Sequence, residues 1–442
     1  MAGKPRSIFE EVSTEEAVRP AAQTGVIDRG RSGARGAIRV WLVMLFVLVF
    51  VMIAVGGMTR LTDSGLSITE WRPITGAIPP MSAADWDAEF DKYKQIDEFQ
   101  QQNAWMELSD FKVIYWWEWG HRQLGRVIGL VWFAGFAWFA VRGAFPSGRA
   151  GLTWPVLGWL GFATIIALEV GKQTGRIPAE IANMGEGAAM ALMAAMALVC
   201  VFLRQIDWTA RALFIGLLGA MQGVIGWWMV ESGVTQGEGM LDVASYRLAT
   251  HLGLAFIILG FITWYVLLLG REARDLMQAR RASETKQFGM ATGLLHLAFL
   301  QILIGALVAG IDAGRYFIDW PLMQGQVFPP DAFNLDPVWR NFFENPGLVQ
   351  FIHRVTGYLL LVFGVVVWLR GRRSAHAATR FAFNAVMAVL ALQIVVGITT
   401  VVYAAPVHIA LVHQGLAVVL WVLILRARFL SQYPIATSLR GA

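Results

Sequence analysis

The stretch His121–Trp132, HRQLGRVIGLVW, returns further on as His353–Phe363, HRVTGYLLLVF. Each is a histidine–arginine pair at the mouth of an apolar segment. Two more histidines follow in the same order, His251 in HLGLAF and His413 in HQGLAV. A motif repeated with its order kept signals internal duplication, which decides architecture before any local reading. Four imidazoles at equivalent places in two half-sequences predict two pockets built on one plan. Paired histidines between membrane helices are a common way to hold haem iron from both sides.

The rest of the chain agrees with a membrane setting. Of 442 residues 56% are hydrophobic and only 15% charged, with 19 tryptophans, a balance that excludes an ordinary soluble domain. The net charge of +5 does not point to nucleic acid, because the basic residues gather in loops between apolar runs. One cysteine, Cys200, rules out an internal disulfide and argues against a thiolate metal site. Residues 1–37 are polar and carry Glu10, Glu11, Glu15 and Glu16. That acidity argues against a transit peptide, so the first apolar span is expected to be an uncleaved anchor.

Apolar runs near 39–58, 123–142, 212–230, 250–270, 288–310, 350–369, 382–403 and 407–425 are each long enough to cross a bilayer. Two weaker runs lie near 152–168 and 187–203. Arg29, Arg31, Arg35 and Arg39, then Arg142 and Arg149, Arg204 and Arg211, Arg271, Arg274, Arg280 and Arg281, Arg370, Arg372 and Arg373, and Arg426 and Arg428 mark one side. By the positive-inside rule that side is cytoplasmic and holds both termini. The opposite face receives the acidic stretch 59–120 and the loop 311–349, and all four repeated histidines lie at or just inside it.

The duplication also pairs VGGMTRLTDSGLSITEW and the turn IPP at 78–80 with IGALVAGIDAGRYFIDW and FPP at 328–330, and QGVIGWW from Gln222 with QIVVGIT from Gln393. Four spans per half, an even number, make the halves enter the membrane in the same sense, related by a pseudo-twofold axis along its normal. The fold class expected is an all-α polytopic membrane protein with two pseudo-symmetric four-helix transmembrane bundles. His121 and His251 are 130 positions apart but His353 and His413 only 60, so the first half holds an extra helical hairpin. That gives ten spans; the alternative for the polar-centred insert is a re-entrant or interfacial segment. The expected layout is a cytoplasmic N-terminus (1–37), an N-terminal bundle (38–270) with insert 150–205, a cytoplasmic linker (271–287), a C-terminal bundle (288–428) and a cytoplasmic tail (429–442).

An ionisable group in a bilayer is costly and marks function. By the order of spans His121 faces His251 and His353 faces His413, with zinc the weaker alternative because a structural zinc wants four close ligands. His296, His376 and His408 have no counterparts and read as structural. Arg122, Arg126 and Arg354 lie where charge orientation does not require them, and a guanidinium fork suits a haem propionate. Glu118, three residues before His121, shares its helical face. Val349 is taken as the corresponding position of the second half, so a carboxylate that could accept protons or stabilise positive charge stands beside one pocket only.

GGMTRLTDSGLSITEWRPITGAIPP, EWGHR, QGVIGWWMV, RLATHLGLA, FIHRVTGY and VHQGLAV together resemble the haem A synthase family, in its proteobacterial and mitochondrial-like branch, over 38–142 and 212–428. The resemblance leaves out residues 150–205. It implies an oxidoreductase of the bacterial inner membrane that converts haem O to haem A for terminal oxidases. The C8 methyl would be oxidised to a formyl group by successive hydroxylations. It further implies that His353 and His413 bind haem B as cofactor, that His121 and His251 bind substrate haem O, and that Glu118 is catalytic. The iron ligands would be His121, His251, His353 and His413. Partners implied are a haem O synthase, an electron donor (ferredoxin-like or quinol) and oxidase assembly factors, with membrane lipid around it, no nucleic acid, and a homo-oligomer as one arrangement. A dihaem b-type electron carrier and a membrane haem transporter are the rival readings.

Overall fold

The computed structural model describes residues 26–73, 75–145, 150–203, 206–234 and 241–435, with side chains from residue 34. Glu10, Glu11, Glu15, Glu16, Arg149, Arg204, the side chains of Arg29 and Arg31 and the last seven residues of the tail lie outside it. The α-helices, in chain order, are α1 (Val26–Leu61), α2 (Ala83–Tyr93), α3 (Leu108–Val141), α4 (Thr153–Gln173), α5 (Ala179–Phe202), α6 (Trp208–Val234), α7 (Ser245–Leu269), α8 (Ala273–Arg280), α9 (Thr285–Gly310), α10 (Asn341–Glu344), α11 (Pro346–Gly371), α12 (Ala377–Val402) and α13 (Val407–Gln432). Ten of them, all but α2, α8 and α10, are long and apolar enough to span a bilayer. The weak pair α4 and α5 are full helices, so the chain is an all-α polytopic membrane protein with ten candidate spans.

Helices apolar on every side satisfy their backbone internally and leave side chains to face lipid, which suits a membrane and not water. Their ends are set locally. Asn345 caps α11 by accepting the Leu348 N–H at 2.8 Å, with Pro346 at the first helical position, where its missing N–H costs nothing. Ser82 and Asp85 form a capping box at α2, as Glu107 and Asp110 do at α3.

Three helices start well before their apolar runs suggest, among them α1, at Val26 rather than near 39. α3 begins at Leu108 rather than near 123, and α5 at Ala179 rather than near 187. In α3 the additional turns, DFKVIYWWEWGHR, are aromatic and charged. They rise from the membrane into a cap where Phe111, Ile114 and Tyr115 pack with Leu66, Ile68, Phe90, Tyr93 and Ile96. Hydropathy sees only what sits in lipid.

Packing forms two rings. α1, α3, α6 and α7 close one, each helix touching the next; α9, α11, α12 and α13 close the other. The rings meet through α7 with α9, α1 with α13, and α7 with α13. Exchanging first and fourth helices between the halves maps these contacts onto each other, the mark of a pseudo-twofold axis passing between α7 and α13. α4 and α5 pack closely on one another and then against α6, outside the ring. Small residues allow that approach: a Cβ on Gly161 would lie 3.0 Å from the Ala189 carbonyl oxygen.

Candidate haem-binding site

The histidines sit on α3 and α7 in one ring and on α11 and α13 in the other. Within each ring these helices stand diagonally, so the imidazoles face inward across the bundle. The other diagonal supplies a glycine against each ring. A Cβ on Gly56 (α1) would lie 3.3 Å from His121 Nε2, on Gly226 (α6) 2.9 Å from His251 Cε1, on Gly305 (α9) 3.1 Å from His353 Cε1, and on Gly397 (α12) 2.9 Å from His413 Cε1. A side chain would press on the imidazole at Gly56 and Gly305 and force it to shift at Gly226 and Gly397. Among the described residues no three His, Cys, Asp or Glu side chains converge as a metal cluster. Two imidazoles per bundle suit two axial positions of a planar macrocycle better than a tetrahedral ion.

Glutamines brace the rings. Gln222 Nε2 donates to the His251 carbonyl at 2.9 Å, Gln301 Nε2 to that of His353 at 3.0 Å, and Gln393 Nε2 to that of His413 at 3.0 Å. The Oε1 of all three is buried without a partner, and so is His413 Nδ1. Buried orphan acceptors beside paired histidines fit imidazoles that would each ligate through one nitrogen and keep their proton on the other, where it needs an acceptor. Gln222 and Gln393 were visible in the sequence only as parallel residues. Gln301 was missed, although glutamine followed by glycine four positions later recurs at all three places.

Glu118 is 2% exposed. One carboxylate oxygen accepts from Ser67 Oγ at 2.7 Å and from the Ile68 N–H at 2.7 Å; the other accepts from Arg122 Nε at 3.0 Å and from Nη2. Its position in the second half is Gln350, three residues before His353, and not Val349, which matches Trp117. Gln350 is 1% exposed. It donates to the Ala313 and Phe317 carbonyls at 3.0 and 3.1 Å and accepts from Arg354 Nη2 at 3.1 Å. Counting from the histidine, rather than from the loop, gives this register. The asymmetry is thus a carboxylate in one bundle against its neutral carboxamide isostere in the other.

The arginines are engaged with loop carbonyls. Arg122 donates to Glu70 and Ile68, Arg126 to Pro73 and Arg72, and Arg354 to Leu322 and Phe317. Arg354 keeps a buried Nε with no partner. So does Arg247, one turn before His251 on α7, a residue the sequence reading passed over. The available signal was an arginine at a helix end on the face opposite the arginine-rich loops. His296 and His408 are exposed, and His376 stands at the N-cap position of α12 with no side-chain cap bond; none of them joins a pair.

A family model described as cytochrome oxidase assembly protein, COX15-CtaA, matches residues 39–168 and 184–425. The chain belongs to that family. Relatives named heme A synthase match over nearly all of both chains. They include those of Roseobacter denitrificans (62% identical over 436 residues, 99% of each chain), Paracoccus denitrificans (52% over 436 residues, 99% of this chain and 98% of the relative) and Cereibacter sphaeroides (48% over 449 residues, 100% and 99%). One expectation is corrected here. The hairpin 150–205 lies inside the family apart from 169–183, the polar turn and helix ends between α4 and α5, where the family model has a gap.

Proposed function

We propose that this protein is a haem A synthase of the bacterial inner membrane, with both termini cytoplasmic, that oxidises the C8 methyl of haem O to a formyl group by successive hydroxylations and loss of water. The single observation that carries the division of labour is Glu118 opposite Gln350. Two pockets alike in histidines, glycines and framework differ by one charge. His121 and His251 hold substrate haem O in the first bundle. His353 and His413 hold haem B in the second, and that cofactor supplies one-electron transfer when bound. The first bundle comprises 38–270 and the second 288–428.

Glu118 has its acceptor sites filled by Ser67, Ile68 and Arg122, which favours a fixed negative charge that stabilises positive charge developing on the substrate over a freely exchanging base. Arg354 and Arg247 offer their unpaired Nε to propionates. Arg122 and Arg126 join them with what donor capacity the loop leaves. An electron donor, a haem O-producing enzyme and oxidase assembly factors are the partners this reaction requires.

The test is to extract and identify the haems of the full chain produced beside a haem O-making enzyme, for the wild type and for His121→Ala, His251→Ala, His353→Ala and His413→Ala. The wild type carries haem B together with haem O, a hydroxylated intermediate or haem A. Loss of haem B is expected only from the last two variants, and loss of haem O species only from the first two. The converse pattern reverses the assignment of the bundles, and two haem B per chain indicates a dihaem electron carrier.

A further inference from the structure

The four helices that flank the imidazoles share a motif in which a residue stands four positions before the glycine that seats a ring. It reads Gln222–Gly226 on α6, Gln301–Gly305 on α9 and Gln393–Gly397 on α12, but Met52–Gly56 on α1. Met52 and Gln301 are true equivalents. A Cβ on Gly125, one turn past His121, would lie 3.5 Å from Met52 Cε, and one on Gly357, one turn past His353, would lie 3.4 Å from Gln301 Nε2.

The three amides do the same thing. Each holds its histidine's backbone carbonyl and brings the same nitrogen to 3.2 Å (His251 Nδ1), 3.2 Å (His353 Nδ1 and Nε2) or 3.5 Å (His413 Nε2) of the ring. Each leaves a buried Oε1 unpaired. An imidazole that ligates iron through one nitrogen carries a proton on the other and needs an acceptor for it; that acceptor sets ring orientation and ligand strength. Each glutamine carries such an acceptor, its unpaired Oε1, on the same amide whose nitrogen already lies beside the ring. His121 has none. Met52 offers only a weakly accepting thioether, and among the described residues no hydrogen bond reaches the His121 ring.

Resting on the reading above, we propose that Gln222, Gln301 and Gln393 are positioning residues that brace three of the four axial histidines, while Met52 leaves His121 as the ligand that yields. Braced imidazoles would hold a bound iron on both sides, whereas His121, on the same helix as Glu118 and one turn from it, would be the side chain free to withdraw from the substrate; His353 and His413, both braced, would stay in place.

Reciprocal variants test this, with carbon monoxide on the dithionite-reduced full chain and haem transfer to excess apomyoglobin as readouts. In the wild type carbon monoxide binds the haem O species and not haem B. Met52→Gln keeps both haems but lowers carbon monoxide binding to haem O by about tenfold or more. Gln301→Met admits carbon monoxide at haem B and speeds loss of haem B by roughly 10- to 100-fold, the usual effect of removing a ligand's supporting partner. The variants move one signal in opposite directions, so general misfolding cannot mimic both. Wild-type behaviour of both variants, in a chain holding both haems, overturns the bracing alone. A wild type without haem overturns the proposed function and this inference with it.

Discussion

Glu118 and Gln350 differ by an oxygen in place of an NH2, at the same helical position and beside the same following arginine, and on the proposed function that difference separates the reacting pocket from the supporting one. The pairing is readable in the sequence only when the count starts at each histidine, because the loops before α3 and α11 differ in length and composition. Glu98 is a second buried acid, in the outer cap, 4% exposed and held by hydrogen bonds from Tyr93 Oη (2.9 Å) and Asn103 Nδ2 (3.2 Å). Burial pushes its carboxyl up to about 8, with Asp242, Asp63 and Glu118 adding and the Tyr93 hydrogen bond opposing. The folded cap therefore keeps a proton that the unfolded chain releases above its ordinary value of 4.5, so stability falls as pH rises between those two values. Glu98→Gln is expected to flatten that decline. Thermal unfolding in detergent from about pH 5 to about pH 8 checks it, and parallel curves for both proteins would refute the assignment.

At the scale of elements, most spans were legible because lipid demands long apolar runs, and the insert was legible because 130 and 60 cannot describe equal halves. What escaped were the polar starts of α1, α3 and α5 and the matching places of Gln301 and Met52 beside the histidine helices. An uncharged residue in an apolar helix gives no signal until its neighbour across the bundle is known. The diagonal arrangement makes the small residues of α1, α6, α9 and α12 as necessary as the histidines. Gly397→Leu should expel the His413 ring, since even its Cβ would approach to 2.9 Å, closer than real side chains come. Haem B should be lost while haem O binding in the first bundle persists; retention of haem B at wild-type content would contradict the close fit.

The whole molecule is tied across its axis, at the end of the bundles that carries the histidines, by Arg60 of α1, which pairs with Asp63 and Asp312 at 2.8 Å and Asp242 at 3.6 Å. Asp63 and Asp312 are pseudo-equivalent, each just past its helix in a left-handed conformation with φ of 48° and 50°. Arg60→Ala would leave three carboxylates facing one another. Because Asp63 and Asp242 are half exposed, the expected loss is about 1–2 kcal/mol, below that of a fully buried pair. It should appear as a lower unfolding temperature with haem content unchanged under native conditions, and an unaltered temperature would show that the halves are held by their helices alone.

Glu118 against Gln350 is a difference of one charge between two pockets built on the same plan. Glu118→Gln converts the first pocket to the second's chemistry with almost no change of shape, and the measurement is the haem composition of that full-length variant made beside a haem O-producing enzyme. The expected result is haem B at wild-type content, haem O accumulating in the first bundle, and formation of haem A slower by about 10²- to 10⁴-fold, the range for loss of a participating acid–base or charge-stabilising group. Haem A formed at the wild-type rate would contradict it.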